Sequence, residues 1–142
     1  MKYLNNKWHK ILSPSNKDKN FINLAIKAAN QGNYKNFRHG AVLTKSGTVL
    51  NISYNKQGYN SFGARFRNIN FGNATLHAEL GAILNIEKSL TIGSTIYVVR
   101  INNCGNLRLS RPCKMCEDAM KFCGVKKVMY STEKGFKVFR LS

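Results

Sequence analysis

Phe21, Leu24, Ala25 and Ala28 recur at three- and four-residue spacing up to Gly32. That period predicts an amphipathic helix opened by Ser13-Pro14, since proline is tolerated in a first turn. A basic loop with Lys35, Arg38 and His39 follows. Two short apolar runs, 41–44 and 49–52, flank Lys45-Ser46-Gly47 and predict a β-hairpin. Residues 56–74 show no period and are rich in Gly, Asn, Arg and aromatics. Leu76, Leu80, Ile83, Leu84 and Ile86 restore helical spacing and predict one helix over 76–90. Residues 95–99 (Thr-Ile-Tyr-Val-Val) read as a buried strand, and a polar loop with Gly105 leads on to Ser110. A helix is expected from Pro112 to Gly124, with the glycine in its usual C-terminal place. Residues 125–130 predict a further strand, and 136–141 either a last strand or a short helix. This order of elements implies an α/β layered domain, a mixed sheet of about five strands flanked by helices.

A chain of 142 residues suits one such domain, here 13–142 behind a basic N-terminal arm over 1–12. The apolar fraction of 43% argues against disorder. No run of about 18 apolar residues occurs, so no membrane partner is expected. The start of the chain has no secretory pattern, and the expected location is the cytoplasm, or a host's cytoplasm.

Charge changes the picture. Lys and Arg number 23 against 6 Asp and Glu, a formal net charge of +17. An AT-rich genome accounts for much Lys and Asn, but not for the shortage of acids. Such a field attracts polyanions, so RNA or single-stranded DNA binding by the basic surface is a candidate property. Tyr59, Phe62, Arg65, Phe66, Arg67 and Phe71 interleave aromatics with arginines. That composition can stack bases and hold phosphates, and it equally suits a loop packing its own aromatics over the core.

The candidate chemistry sits in two short motifs, His77-Ala78-Glu79 and Pro112-Cys113-Lys114-Met115-Cys116, each at the start of an expected helix. Cysteines three apart in a first helical turn are neighbours and can reach one metal. A helix N-terminus favours the thiolate form that metal binding requires. One imidazole and two thiolates give Zn2+ three ligands and leave a fourth position open, the pattern of a catalytic site. Glu79 need not ligate and is suited to move protons. A histidine and glutamate two apart, followed by Pro-Cys-x-x-Cys, is the signature of zinc nucleobase deaminases. The competing reading is a structural all-thiolate site that adds Cys104 and Cys123. Cys123 lies seven residues beyond Cys116 on one helix, about 10 Å along its axis, which is too far for one metal.

With these residues in view, the chain resembles the cytidine and deoxycytidylate deaminase superfamily. The likeness runs from His39-Gly40-Ala41-Val42 to Tyr130-Ser131. It takes in Ser53-Tyr54-Asn55, both motifs, and the strands around Ile96-Tyr97-Val98 and after Gly124. The resemblance implies one Zn2+ per chain on His77, Cys113 and Cys116, with Glu79 as the catalytic proton shuttle. It also implies substrate contact at Asn55, with Ala78, His39 and Arg111 as further candidate substrate-binding residues. His39 has a second reading as a hydrogen-bonded core residue, and Asn55 as a plain turn asparagine. The implied reaction is hydrolytic conversion of cytosine to uracil in a nucleoside or a nucleotide such as deoxycytidylate. A polynucleotide cytosine deaminase, a tRNA adenosine deaminase and a non-enzymatic nucleic-acid-binding module with a structural zinc are the alternatives. Oligomers are common in the superfamily, so a homo-oligomer is among the implied assemblies.

Overall fold

Nearly continuous burial along the three central strands goes with a mixed sheet that carries a helical layer on each face. The computed structural model describes residues 10–31, 38–59, 75–76, 78–83 and 86–141, with 10–12, 56–59, 75–76, 79 and 80 described by backbone alone. The strands are β1 (Lys10–Leu12), β2 (Arg38–Lys45), β3 (Thr48–Tyr54), β4 (Lys56–Tyr59), β5 (Thr75–Leu76), β6 (Thr95–Ile101), β7 (Leu107–Arg108), β8 (Lys127–Thr132) and β9 (Gly135–Arg140). The helices are α1 (Asn16–Ala29), α2 (Ala78–Ile83), α3 (Lys88–Thr91) and α4 (Lys114–Phe122). The main sheet has the order β1-β9-β8-β6-β2-β3, with β7 added to β6. Only β6 and β8 run parallel among these pairs, and α4 lies in the connection between them. The expected α/β class is therefore found. The five strands foreseen are the long ones, and β1 and β7 are short additions of three and two residues.

The two faces of β6 carry two cores. Tyr97, Val99 and Ile101 join Val42 and Met129 under Phe21, Ile22, Ala25 and Ala29 of α1. Ile96 and Val98 join Ala41, Leu43, Val128 and Tyr130 under α2 and α4. Gly40 lets α1 press onto β2, because a Cβ there would collide with the Ala25 carbonyl oxygen and the Ala29 nitrogen.

Local chemistry moved some boundaries. Ser15, rather than Ser13, caps α1: its hydroxyl accepts from the Asp18 N–H (3.1 Å) and Asp18 accepts from the Ser15 N–H (3.1 Å). The single helix expected over 76–90 is not formed. Residues 75–76 are strand, and Glu87 is extended at φ −58°, ψ 139°, so α3 starts anew. Leu90 is 44% exposed, so the apolar period there reflected no core contact. Arg38 and His39 belong to β2 rather than to a loop, since each pairs across to β6. Residues 136–141 resolve as strand β9, because their pairing with β8 supplies the backbone partners.

Candidate active site

Ala78 of the first motif and Cys116 of the second lie on the same face of the sheet. Ala78 opens α2 and is fully buried, and Cys116 in the first turn of α4 is fully buried in the same cluster. Cys113 is the N-cap of α4, with extended backbone (φ −71°, ψ 168°), and its side chain packs against that cluster. The Glu117 N–H donates to the Cys113 carbonyl at 2.9 Å, which closes the turn between the two thiols. Gly124 follows the C-cap with φ +81°, as its place in the sequence foretold. The helix thus offers its positive end to both sulfurs. His77 lies outside the described residues. Glu79 lies on α2, where the backbone alone is described.

The chemistry of this donor set fits zinc. Two thiols at one helix start suit a soft divalent cation, and burial makes an uncompensated thiolate at Cys116 costly. His77 would complete three ligands. Cys123, at the far end of α4, is remote from that turn along the helix axis, and Cys104 is exposed in a loop. None of the four cysteines forms a disulfide. Burial pushes the Cys123 thiol above its ordinary range, and Lys88 opposes this only in part.

Asn55 and His39 are brought together at the end of the β2–β3 hairpin. The His39 N–H donates to Asn55 Oδ1 at 2.9 Å, and the Asn55 N–H donates to the His39 carbonyl at 3.2 Å. Asn55 is 8% exposed, and this exchange fixes its side chain against the start of β2. Asn51 ties the hairpin to α2, its Nδ2 donating to the carbonyls of Gly81 (3.2 Å) and Ala82 (3.1 Å). Arg111 is exposed beside Pro112, and its charge acts on Tyr130, whose hydroxyl burial nonetheless pushes above its ordinary range.

One pair was not anticipated. Ser110 and Ser131 are buried where β6 and β8 part, and they fix the segment that leads into Cys113. The Ser131 N–H donates to Ser110 Oγ (2.8 Å), and the Ser110 N–H donates to the Ser131 carbonyl (2.9 Å). Ser110 Oγ also reaches the Val98 carbonyl at 3.0 Å. Ser131 Oγ accepts from the Arg100 N–H (3.0 Å) and donates to the Arg108 carbonyl (2.7 Å). Serine is too common at turns for this to be visible without the register of the strands. Of the arginine-aromatic segment, residues 62–71 lie outside the described residues.

A sheet with thiols at the start of a crossover helix, and a second helix start beside them, defines a deaminase-like α/β fold. A model of the cytidine and deoxycytidylate deaminase zinc-binding region matches residues 15–132, and the chain belongs to that family. Among solved structures, it is similar to the dCMP deaminase of cyanophage S-TIM5, at 25% identity over 84% of each chain with a TM-score of 0.57. It is also similar to a cytidine deaminase from Burkholderia pseudomallei, at 22% identity over 87% of this chain and 91% of that one, TM-score 0.61. RibD of Acinetobacter baumannii aligns at 19% identity and TM-score 0.52, over 80% of this chain but 27% of its own length. No curated protein matched the sequence. Among the described residues, no helix is long and apolar enough to cross a membrane.

Proposed function

We propose that this deaminase-family protein is a zinc-dependent hydrolase that converts cytosine to uracil in a free nucleoside or nucleotide. The observation that carries the reading is the shared buried cluster of Ala78 and Cys116, which brings the residue after His77 and the Cys113–Cys116 turn to one face. Family membership over 15–132 supports it, as does the similarity to a cyanophage dCMP deaminase whose structure was solved with dCMP and dUMP.

In this reading His77, Cys113 and Cys116 hold one zinc per chain. Zinc, when bound, supplies the Lewis acidity that makes water a nucleophile at neutral pH. Glu79 takes the proton released from that water and passes it to N3 of the ring, and the oxygen adds at C4. The C4–N4 bond then breaks as Glu79 helps protonate the departing ammonia, so one water is consumed per ammonia released. Asn55, Ala78, His39 and Arg111 border the substrate. A second reading, a polynucleotide substrate, is favoured by the net charge of +17.

The test is ammonia release by the zinc-loaded protein from cytidine, deoxycytidine, their monophosphates, single-stranded DNA and RNA, with Glu79→Gln as the blank. Turnover of a free nucleoside or nucleotide that the variant abolishes is expected. Equal turnover by the variant overturns the role of Glu79, and turnover of polymers alone overturns the free-substrate reading.

A further inference from the structure

The end of the sheet away from Cys113 carries a basic rim. β2 finishes there at Lys45, β6 starts there at Thr95, and Lys127 at the start of β8 is directly opposite Arg140 at the end of β9. Thr95 is in register with both Thr44 and Lys127, so Lys45, Lys127 and Arg140 follow the strand ends. At about 5 Å per strand that row is roughly 15 Å long. Lys126 stands beside it, its N–H donating to the Ser94 carbonyl (2.8 Å) and its carbonyl accepting from the Leu141 N–H (2.9 Å). Two helices add to the rim. The Lys17 side chain of α1 lies against Gly47 in the β2–β3 turn. Lys45 Nζ donates to the Ser89 carbonyl of α3 at 3.1 Å, which brings Lys88 alongside.

The chain's 6 acidic residues do little to offset this charge. Glu79 is in the opening turn of α2, Glu117 and Asp118 are in the half of α4 that begins at Cys113, and Glu133 follows β8 beside Arg108. Asp18 and Glu87 are near the rim, and Asp18 already accepts from the Tyr97 hydroxyl and the Ser15 N–H. The surface beside the rim is apolar instead. Phe122, the last residue of α4, is 51% exposed, and Leu90 and Ile92 are 44% and 51% exposed. The Gly93 N–H donates to the Gly124 carbonyl at 2.8 Å, so the ends of α3 and α4 adjoin, and Lys88 Nζ stands 5.2 Å from the centre of the Phe122 ring. Cations in a row beside an exposed aromatic ring suit a single strand, whose phosphates meet the charges while a base stacks on the ring. A duplex keeps its base faces covered and gains nothing from Phe122.

We infer that this rim docks single-stranded nucleic acid without regard to sequence, at a surface separate from the candidate active site. Cys113 opens α4 and Phe122 closes it, so the two surfaces are about 14 Å apart along the helix, and a strand held at the rim leaves the thiol end uncovered. The inference goes beyond the reaction proposed above and does not depend on it.

The test compares the two ends of the molecule by removing equal charge from each. A labelled oligothymidylate, a duplex of the same length and phosphatidylserine vesicles are titrated with the full zinc-loaded chain, over a range of salt, with melting curves confirming that each variant is folded. Lys126→Gln with Arg140→Gln, both at exposed positions, should weaken oligothymidylate binding about tenfold and make its salt dependence shallower by about 1.4, since each phosphate contact on a single strand contributes about 0.7 to the slope. Phe122→Ser should weaken binding about tenfold with the slope unchanged. Arg111→Gln with Lys114→Gln takes two exposed charges from the thiol end and should leave affinity within about twofold, because salt screens charges beyond about 10 Å. No binding by the wild type, or equal losses in the two double variants, overturns the inference. Loss confined to Arg111→Gln with Lys114→Gln overturns it in favour of a strand at the candidate active site. Duplex binding as tight as that of the single strand, and indifferent to Phe122→Ser, overturns the single-strand assignment. Vesicle binding tighter than oligothymidylate binding, and lost in Phe122→Ser, overturns it in favour of a membrane surface.

Discussion

The Tyr97 hydroxyl donates a 2.7 Å hydrogen bond to Asp18 Oδ1, joining the centre of the sheet to the first turn of α1. For Asp18, burial acts to raise the carboxyl pKa but is outweighed by bonds from Tyr97 and Ser15 and by the charge of Lys127. The result lies below the ordinary 3.8. For Tyr97, burial first and then Asp18 push the phenol well above its ordinary 10.0. A lowered carboxyl contributes stability that is complete above pH 3.8 and fades as pH falls through the folded-state value. A raised phenol contributes stability that is complete below pH 10.0 and fades as pH rises through its folded-state value. Melting temperature should therefore be level between these limits. Tyr97→Phe should lower it throughout that range by the equivalent of about 1 kcal/mol and flatten the alkaline fall. Asp18→Asn should flatten part of the acid fall. Melting curves from pH 3 to pH 11 check both.

Gly40 is required by proximity rather than by an unusual backbone angle. A methyl group there meets the Ala25 carbonyl and the Ala29 nitrogen, both backbone atoms of α1 that no rotamer change can move. Gly40→Ala should cost about 3 kcal/mol and lower the melting temperature by about 10 °C. An unchanged melting curve would show that α1 can lift from the sheet at little cost.

Ser110 and Ser131 should behave as a coupled pair. Ser110→Ala removes the acceptor of the Ser131 N–H, and Ser131→Ala removes the bridge between Arg100 and Arg108. Each change should cost about 2 kcal/mol, and the double variant should cost less than their sum by about 1 kcal/mol. Urea unfolding of the four proteins measures the coupling, and strict additivity would contradict it.

Metal content should follow the cysteines unequally. Cys113→Ser and Cys116→Ser should each reduce bound zinc well below one per chain, whereas Cys104→Ser and Cys123→Ser should retain it. Elemental analysis after dialysis reads this directly. Loss of zinc in Cys123→Ser would revive the all-thiolate site.

Thiol labelling offers an independent check. Exposed Cys104 should react first, and Cys123 slowly, because burial holds its thiol protonated.

The hairpin around Ser46-Gly47, the strand at 95–99 and the end of α4 at Gly124 could all be read from local pattern, because each rests on a short apolar run or on a glycine turn. The break before α3 could not. Ile86 and Leu90 keep the helical period while the backbone at Glu87 is extended, and the clasp that holds this turn is tertiary. The buried Thr91 hydroxyl donates to the Cys123 carbonyl at 2.6 Å, and the Gly93 N–H donates to the Gly124 carbonyl at 2.8 Å. The two motifs of the candidate site were visible in the sequence because their chemistry is local to a helix start. The Ser110–Ser131 lock was not, since it depends on which strands lie side by side. β7 was too short to show a period at all.

The parallel junction of β6 and β8 has a consequence for how the molecule assembles. The hairpins β2–β3 and β8–β9 each close over a few residues, so they can form early and separately. Joining β6 to β8 requires the whole crossover between them to fold back on the sheet, and that crossover carries both Cys113 and Cys116. The step that seats this crossover on the sheet is thus also the step that draws Cys116 into the interior. A divalent ion captured at that moment would act on the rate at which the native state is reached as well as on its final stability.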